Sequence, residues 1–251
     1  MITFDDVSFA YQGGIPDGSE PPALRHIHFH AERGECIVLC GKSGCGKTTM
    51  LRMVNGLVPH FYQGRLEGDI TVGNVHIKEA SLPQVAAVAG SVFQNPRTQF
   101  FHLDTTGEMA FNMENLNIPH DKMVERLKET AWKLDIQTLM DRDIFQLSGG
   151  EKQQIACGSV YASMPEVIVM DEPSSNLDME SIRKLQDLIR TMKDEGKTIL
   201  ISEHRLWYLE DIADRYVLLK DGQIENEFTS DEILALSLQE LEQSGLRAIR
   251  R

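Results

Sequence analysis

Cys36-Ile37-Val38-Leu39-Cys40-Gly41-Lys42-Ser43-Gly44-Cys45-Gly46-Lys47-Thr48 is the stretch from which the rest of the chain can be read. Its first five residues form a continuous apolar run, the pattern of a strand buried on both faces. The next eight fit G-x-x-x-x-G-K-[ST], and helical spacing then begins through Met50, Leu51, Val54 and Leu57. Strand, glycine-rich turn and helix in that order make a phosphate cradle. Glycines let successive backbone N–H groups turn inward, and the helix N-terminus adds partial positive charge. The spacing predicts a helix over 47–57, with Lys47 within reach of β- and γ-phosphates and the Thr48 hydroxyl able to complete a Mg²⁺ shell.

Further along, Val167-Ile168-Val169-Met170 is a second buried-strand pattern, and it ends in Asp171-Glu172. An acid at the end of such a strand can hold Mg²⁺ through water beside the glycine loop. The adjacent Glu172 points the other way and can orient or deprotonate an attacking water. Alone, Asp-Glu after a strand is a common solvated turn; paired with the glycine loop, it reads as the matching half of a site. Helical patterns cover 121–134 and 181–192, the latter stopped by Gly196. Thr198 to Ile201 is another buried strand, and Asp221-Gly222 between strand-like runs marks a hairpin over 217–228. Ile2 to His30 reads as strands joined by an exposed loop through Gly13-Gly14 and Pro16 to Pro22. Strands alternating with helices indicate a parallel α/β core. Between Asn95 and Gln146 helices follow one another with no buried strand, the mark of an inserted helical lobe. The tail from Ser230 to Arg251 reads as helical and amphipathic, with a basic end.

The 251 residues, 41% hydrophobic and 25% charged, suit a globular chain with one core, or a core and a modest second lobe. There is no run of ~18 apolar residues to span a membrane, and no basic-then-apolar leader, so the chain is expected to stay in the cytosol. Net charge is −13, with no basic stripe, which argues against nucleic acid as a partner. Cys36, Cys40, Cys45 and Cys157 lack the paired spacing of a zinc site and read as buried thiols. His26, His28 and His30 alternate on one strand face; a solvated face is the reading favoured over a metal site. The eleven methionines read mostly as core packing.

Leu147-Ser148-Gly149-Gly150-Glu151, ahead of a helix beginning Lys152-Gln153-Gln154, lies between the glycine loop and the Asp-Glu strand. This order resembles the ABC ATPases, and the resemblance covers nearly the whole chain. It implies an α/β fold with a P-loop NTPase core, mostly parallel sheet with helices. An N-terminal antiparallel β subdomain and a helical subdomain inserted at about 95–160 would complete an ABC ATPase domain over 1–229, followed by a short helical tail over 230–251. Tyr11 resembles the aromatic that stacks on adenine. Gln94 looks like the Q-loop glutamine, a Mg²⁺ ligand with Thr48 and Asp171 and a catalytic group with Glu172 and His204. Ser175-Asn176-Leu177-Asp178 is similar to the D-loop, and His204 matches the switch histidine.

The resemblance further implies a head-to-tail dimer with a second ABC ATPase subunit, identical or different. ATP and Mg²⁺ would be clamped between Gly41, Lys42, Ser43, Gly44, Cys45, Gly46, Lys47, Thr48 and Thr49 of one subunit and Ser148, Gly149, Gly150 and Glu151 of the other, with Asp178 nearby. The chain departs from the family at Glu151, usually Gln, and at Gln154, usually Arg. Extra negative charge there is expected to weaken nucleotide binding somewhat. Lys47, Asp171, Glu172 and His204 are all in place, so the reading remains a working ATPase.

Val92-Phe93-Gln94-Asn95-Pro96-Arg97-Thr98-Gln99-Phe100-Phe101 narrows the resemblance to the ATPases of energy-coupling-factor transporters. Glu108-Met109-Ala110-Phe111, Asn115 and Ser202-Glu203-His204-Arg205 resemble the same group. These importers take up vitamins or transition-metal ions at the cytoplasmic face of the membrane. Their ATPases dock on a membrane T-component, whose coupling helices insert between Q-loop and helical lobe, while an S-component captures the substrate. The alternatives are the ATPase of a conventional ABC importer or exporter and a non-transport ABC ATPase acting on DNA or ribosomes. The latter carry long coiled coils or two cassettes per chain, and neither shows here. A module that binds without hydrolysing is opposed by Glu172 and His204.

Overall fold

The computed structural model describes residues 1–12 and 22–243. Gly13-Gly14, most of the proline-rich loop and the basic end at Arg247, Arg250 and Arg251 lie outside the described residues.

In chain order, the N-terminal part runs β1 (Ile2–Tyr11), β2 (Leu24–Ala31), β3 (Cys36–Cys40), α1 (Lys47–Val54) and α2 (Leu57–His60). Then come β4 (Gly64–Val72), β5 (Val75–His76), α3 (Leu82–Ala86) and β6 (Ala89–Val92). Helices α4 (Thr105–Asn115), α5 (His120–Lys133) and α6 (Gly149–Ala162) follow with no strand between them. The chain continues through β7 (Val167–Asp171), α7 (Met179–Asp194), β8 (Thr198–Ser202), β9 (Arg215–Lys220) and β10 (Gln223–Thr229). Two short helices, α8 (Ser230–Ala235) and α9 (Leu238–Gln243), end the described chain.

The strands form two sheets. One is antiparallel, ordered β2-β1-β4-β5; the other is ordered β10-β9-β3-β8-β7-β6, parallel except for the β9–β10 hairpin. The central strands β3, β7 and β8 of the second sheet are buried on both faces, as their continuous apolar runs require. Ile37 and Leu39 face the antiparallel sheet through a cluster that also holds Met50, Met53 and Val54 of α1. Cys36, Val38 and Cys40 face the opposite way, against a cluster built from α4, α5, α6 and α7. Helix α1 is therefore gripped between two sheets, touching β4 on one side and β7 and β8 on the other.

The helix expected over 47–57 stops at Val54. Gly56 adopts φ 76°, a left-handed turn that ends α1 and leaves Leu57 to open a separate short turn. Helix α7 starts before Ser181 because the Asp178 carboxylate accepts the Ser181 N–H at 2.8 Å and caps it. The tail is helical as far as it is described, to Gln243, and is divided into two short helices because Leu236 leaves the helical region. Ser237 then opens the next helix through a reciprocal cap with Glu240. The four cysteines are free and buried. No helix among the described residues is long and apolar enough to cross a membrane.

Candidate functional site

β3 delivers the chain into the loop 41–46, and α1 begins at Lys47. Gly41, Gly44 and Gly46 take φ of 132°, 82° and 114°, conformations that L side chains rarely adopt. A Cβ on Gly41 would stand 2.2 Å from the Leu219 carbonyl oxygen, so the loop crosses β9 with no room for a side chain. Lys47 is buried beneath the loop. Its Nζ donates to the carbonyls of Gly41 at 2.9 Å and Lys42 at 3.1 Å. Lys42, Ser43 and Gly44 are exposed above it, whereas the Cys45 side chain turns inward.

The parallel register carries β7, two strands from β3, to a carboxylate level with the start of α1. The Asp171 Oδ1 accepts the Thr48 hydroxyl at 3.2 Å and the Ser202 hydroxyl at 2.5 Å. Glu172 follows at φ 42°, a left-handed conformation that is costly for a residue with a long side chain. Its N–H donates to the Ser202 carbonyl at 3.0 Å, which helps hold that turn. Gln94 Nε2 donates to Glu172 Oε2 at 3.0 Å, and His204 Nε2 lies 3.2 Å from Glu172 Oε1. Thr48, Gln94, Asp171, Glu172 and His204, far apart in the chain, thus meet at one place.

Tyr11, at the end of β1, shares a hydrogen bond of 3.1 Å with Thr49 and accepts one from Arg52 at 3.3 Å. Its ring packs edge-on against Phe9 and Tyr62, with centroids 4.8 and 6.2 Å away. Tyr11 and Thr49 are therefore joined directly, on the flank of α1.

Ser148 caps α6 and trades hydrogen bonds with Glu151. The Ser148 N–H donates to Glu151 Oε2 at 2.7 Å, and the Glu151 N–H donates to Ser148 Oγ at 3.2 Å. Arg142 pairs with the other Glu151 oxygen at 2.9 Å. The Ser148 N–H first, then its hydroxyl and Arg142, hold this carboxyl below the usual range. The charge that the sequence expectation placed near a triphosphate is thus tied up in a helix cap and an ion pair. A Cβ on Gly149 would meet nothing within 4 Å, whereas one on Gly150 would stand 2.1 Å from Ser181 Oγ at the start of α7. Asp178, capping α7, is exposed, and the Ser181 N–H holds its carboxyl below the usual range. Among the described residues, no hydrogen bond or ion pair joins Ser148–Glu151 to Gly41–Thr49.

Four contributors to this arrangement carry no role in the sequence reading: Ser202 on Asp171, Arg142 on Glu151, and Glu203 with Tyr208 behind His204. Glu203 follows an apolar strand directly, a position that in sequence fits a solvated turn as well as a buried acid, so the sequence carries no signal that singles it out.

A parallel sheet with a glycine-rich loop after a central strand, and an acid pair at the end of a neighbouring one, defines a P-loop nucleotide-binding fold. The sequence model of the ABC transporter family matches residues 24–175, more than half of the chain, and the chain belongs to that family. A Treponema denticola protein described as an ABC transporter ATP-binding protein is 44% identical over 98% of this chain and 50% of its own length. A Streptomyces coelicolor protein of the same description is 41% identical over 87% of this chain and 38% of its own. The chain spans about half the length, or less, of these curated relatives. Among solved structures, cbiO1 from Clostridium perfringens, part of the ABC transporter complex cbiONQ, superposes with a TM-score of 0.80 at 25% identity, covering 93% of this chain and 90% of that one. The dimeric ATP-binding cassette MJ0796, in a post-hydrolysis state with ADP and Pi, shares the fold with a TM-score of 0.77 at 23% identity, covering 92% and 99%.

Proposed function

We propose that the chain binds and hydrolyses MgATP as the nucleotide-binding subunit of an ABC transporter, in a site completed by a second ABC ATPase subunit. The observation that carries this reading is the convergence on Glu172 of Gln94 at 3.0 Å and His204 at 3.2 Å, beside the Thr48–Asp171 pair.

The donor set fits Mg²⁺: Thr48 and Asp171 offer hard oxygens 3.2 Å apart, with the Gln94 amide adjoining. The ion would supply charge neutralisation on the phosphates. The protein's own part is positional and electrostatic. The backbone N–H groups of 41–46 and the N-terminus of α1 receive the phosphates. Lys47 exchanges the carbonyls of Gly41 and Lys42 for phosphate oxygens, a short swing for a flexible side chain. Glu172 orients the attacking water and takes its proton, while Gln94 and His204 hold the carboxylate from either side. Tyr11 offers an aromatic surface for the base, and Asp178 lies beside the interface.

The open space before Gly149 is the place for the partner subunit's nucleotide, with Ser148, Gly150 and Glu151 shaping the helix start. Between the Gln94 segment and helices α4 and α6 runs an apolar groove that includes Leu82, Phe93, Phe101 and Phe111. Phe101 is 74% exposed there, an anchor that suits a helix from a membrane subunit. That membrane partner places the chain at the cytoplasmic face, with a T-component beneath it and an S-component for the cargo. Support for the energy-coupling-factor type is the resemblance over Val92–Phe101 and the likeness to cbiO1, described as part of the cbiONQ complex.

Glu172→Gln is expected to keep ATP binding and abolish turnover; normal turnover would overturn the catalytic assignment. Ser148→Arg should abolish hydrolysis in the assembled complex, and undiminished activity would sink the shared site. Proteins that co-purify from membranes distinguish a T- and S-component pair from a conventional importer.

A further inference from the structure

Directly before His204, four donors converge on one buried carboxylate. Glu203 is 2% exposed. Its Oε1 accepts the Tyr208 hydroxyl at 2.8 Å and the Ser174 N–H at 3.2 Å. Its Oε2 accepts the N–H of His204 at 2.7 Å and of Arg205 at 3.2 Å. A carboxylate inside a protein is costly unless its oxygens are fully used, and an apolar residue of similar size could fill the same volume. Charge-assisted bonds to two successive backbone N–H groups are stronger than neutral ones and dictate the path of the chain through His204. Burial first, with Glu203 adding to it, pushes the Tyr208 hydroxyl well above the usual phenol range, so that it remains a donor.

The other half of the cluster leads back to the reacting groups. Ser174 lies two residues beyond Glu172, and Arg205 Nη1 donates to the carbonyls of Ser174 at 3.2 Å and Leu177 at 3.4 Å. The residue after Leu177 is Asp178, the cap of α7. The contacts close a ring: from the Glu203 side chain to Ser174, along the backbone to Glu172, across 3.2 Å to His204, and back to Glu203.

We propose that Glu203 is a positioning residue that holds His204 against Glu172 and locks it to the segment 174–178, so that a displacement of that segment reaches His204. This rests on the reading of His204 as a participant in hydrolysis. It assigns a task to Glu203 and Arg205, which the proposed chemistry otherwise leaves unused.

The test is steady-state MgATP hydrolysis by the full-length protein, purified in the assembly it forms in membranes. Four forms are compared: parent, Glu203→Gln, His204→Ala and the double variant. Glu203→Gln keeps the shape but turns one acceptor into a donor facing N–H groups. It is expected to lower kcat about tenfold while KM for ATP moves less than about twofold. In the presence of His204→Ala it should lower kcat no further, because its effect passes through that side chain. Losses that multiply, or a folded Glu203→Gln protein with parental kcat, overturn the proposal. If Glu203→Gln does not fold, Tyr208→Phe removes one donor only, and an unchanged kcat there has the same force. His204→Ala without effect on kcat would instead bring down the hydrolytic role of His204 itself, and the positioning role with it.

Discussion

The two glycine-rich turns of the molecule are built on opposite terms. The loop at 41–46 is closed in by its own chain at both ends: Gly41 lies against the Leu219 carbonyl and Gly46 against Leu24 and the Ala23 carbonyl, while Gly44 between them faces open space. Lys47 is held by the carbonyls above it, and α1 sits between two sheets. The turn at 148–151 is crowded only at Gly150, against Ser181; Gly149 looks into open space. A glycine pressed against its own backbone is needed for folding. A glycine with nothing in front of it leaves room for something the chain does not itself supply. The proposed shared site rests on this difference, and it can be tried one glycine at a time.

The largest effect is expected at Gly41. Gly41→Ala forces a Cβ against a carbonyl at 2.2 Å and an L residue to φ 132°, and should cost about 3 kcal/mol or more in denaturant unfolding. A variant as stable as the parent would break the comparison at its firmest point. Gly150→Ala is expected to cost about 1–3 kcal/mol, since the Ser181 hydroxyl at 2.1 Å has to give way. Gly149→Ala should leave stability within about 0.5 kcal/mol of the parent, yet lower ATP hydrolysis about tenfold in the assembled protein, a loss of ~1.4 kcal/mol. Loss of both together would mean that the space is structural after all.

The smallest effect is set by charge. Arg142→Ala frees Glu151 from a partly exposed ion pair, so stability should fall by no more than ~0.5 kcal/mol. KM for ATP should rise about two- to threefold, less so in high salt. The sign with pH follows from a carboxyl held below its ordinary range. The stabilisation from the Glu151 cap and pair is complete above the unfolded carboxyl's pKa of ~4.3 and is lost as pH falls through the lower folded value. Acid unfolding of parent and Arg142→Ala should therefore converge at the low end; curves that stay parallel would remove the pair from the account.

Much of this was legible in the residues. Continuous apolar runs at Cys36–Cys40, Val167–Met170 and Thr198–Ile201 became the central strands, and Gly-x-x-x-x-Gly-Lys-Thr became the loop at the head of α1. Periodicity without an intervening strand marked the helices between β6 and β7. The end of α1 was misjudged because Leu57 continues the apolar spacing while Gly56 breaks the backbone. Glu203 escaped notice for a deeper reason. Three of its four donors are backbone N–H groups, which any residue but proline at 174, 204 and 205 would supply, so no residue pattern encodes them. Ser202 and Asp171 meet only through the β7–β8 register, which spacing along one chain does not reveal.

The inward-facing thiols amount to a set of depth markers. Burial pushes Cys36, Cys40 and Cys157 up to about 12, so the reactive thiolate is scarce at neutral pH even when a reagent reaches them. Cys45 instead lies within the glycine-rich turn at 41–46, at 6% exposure. An alkylating agent should therefore read two separate clocks in the native protein. The fast one reports brief loosening of a single turn and, if that turn takes nucleotide as proposed, slows when nucleotide is added; the slow one keeps time with unfolding of the core around β3 and α6.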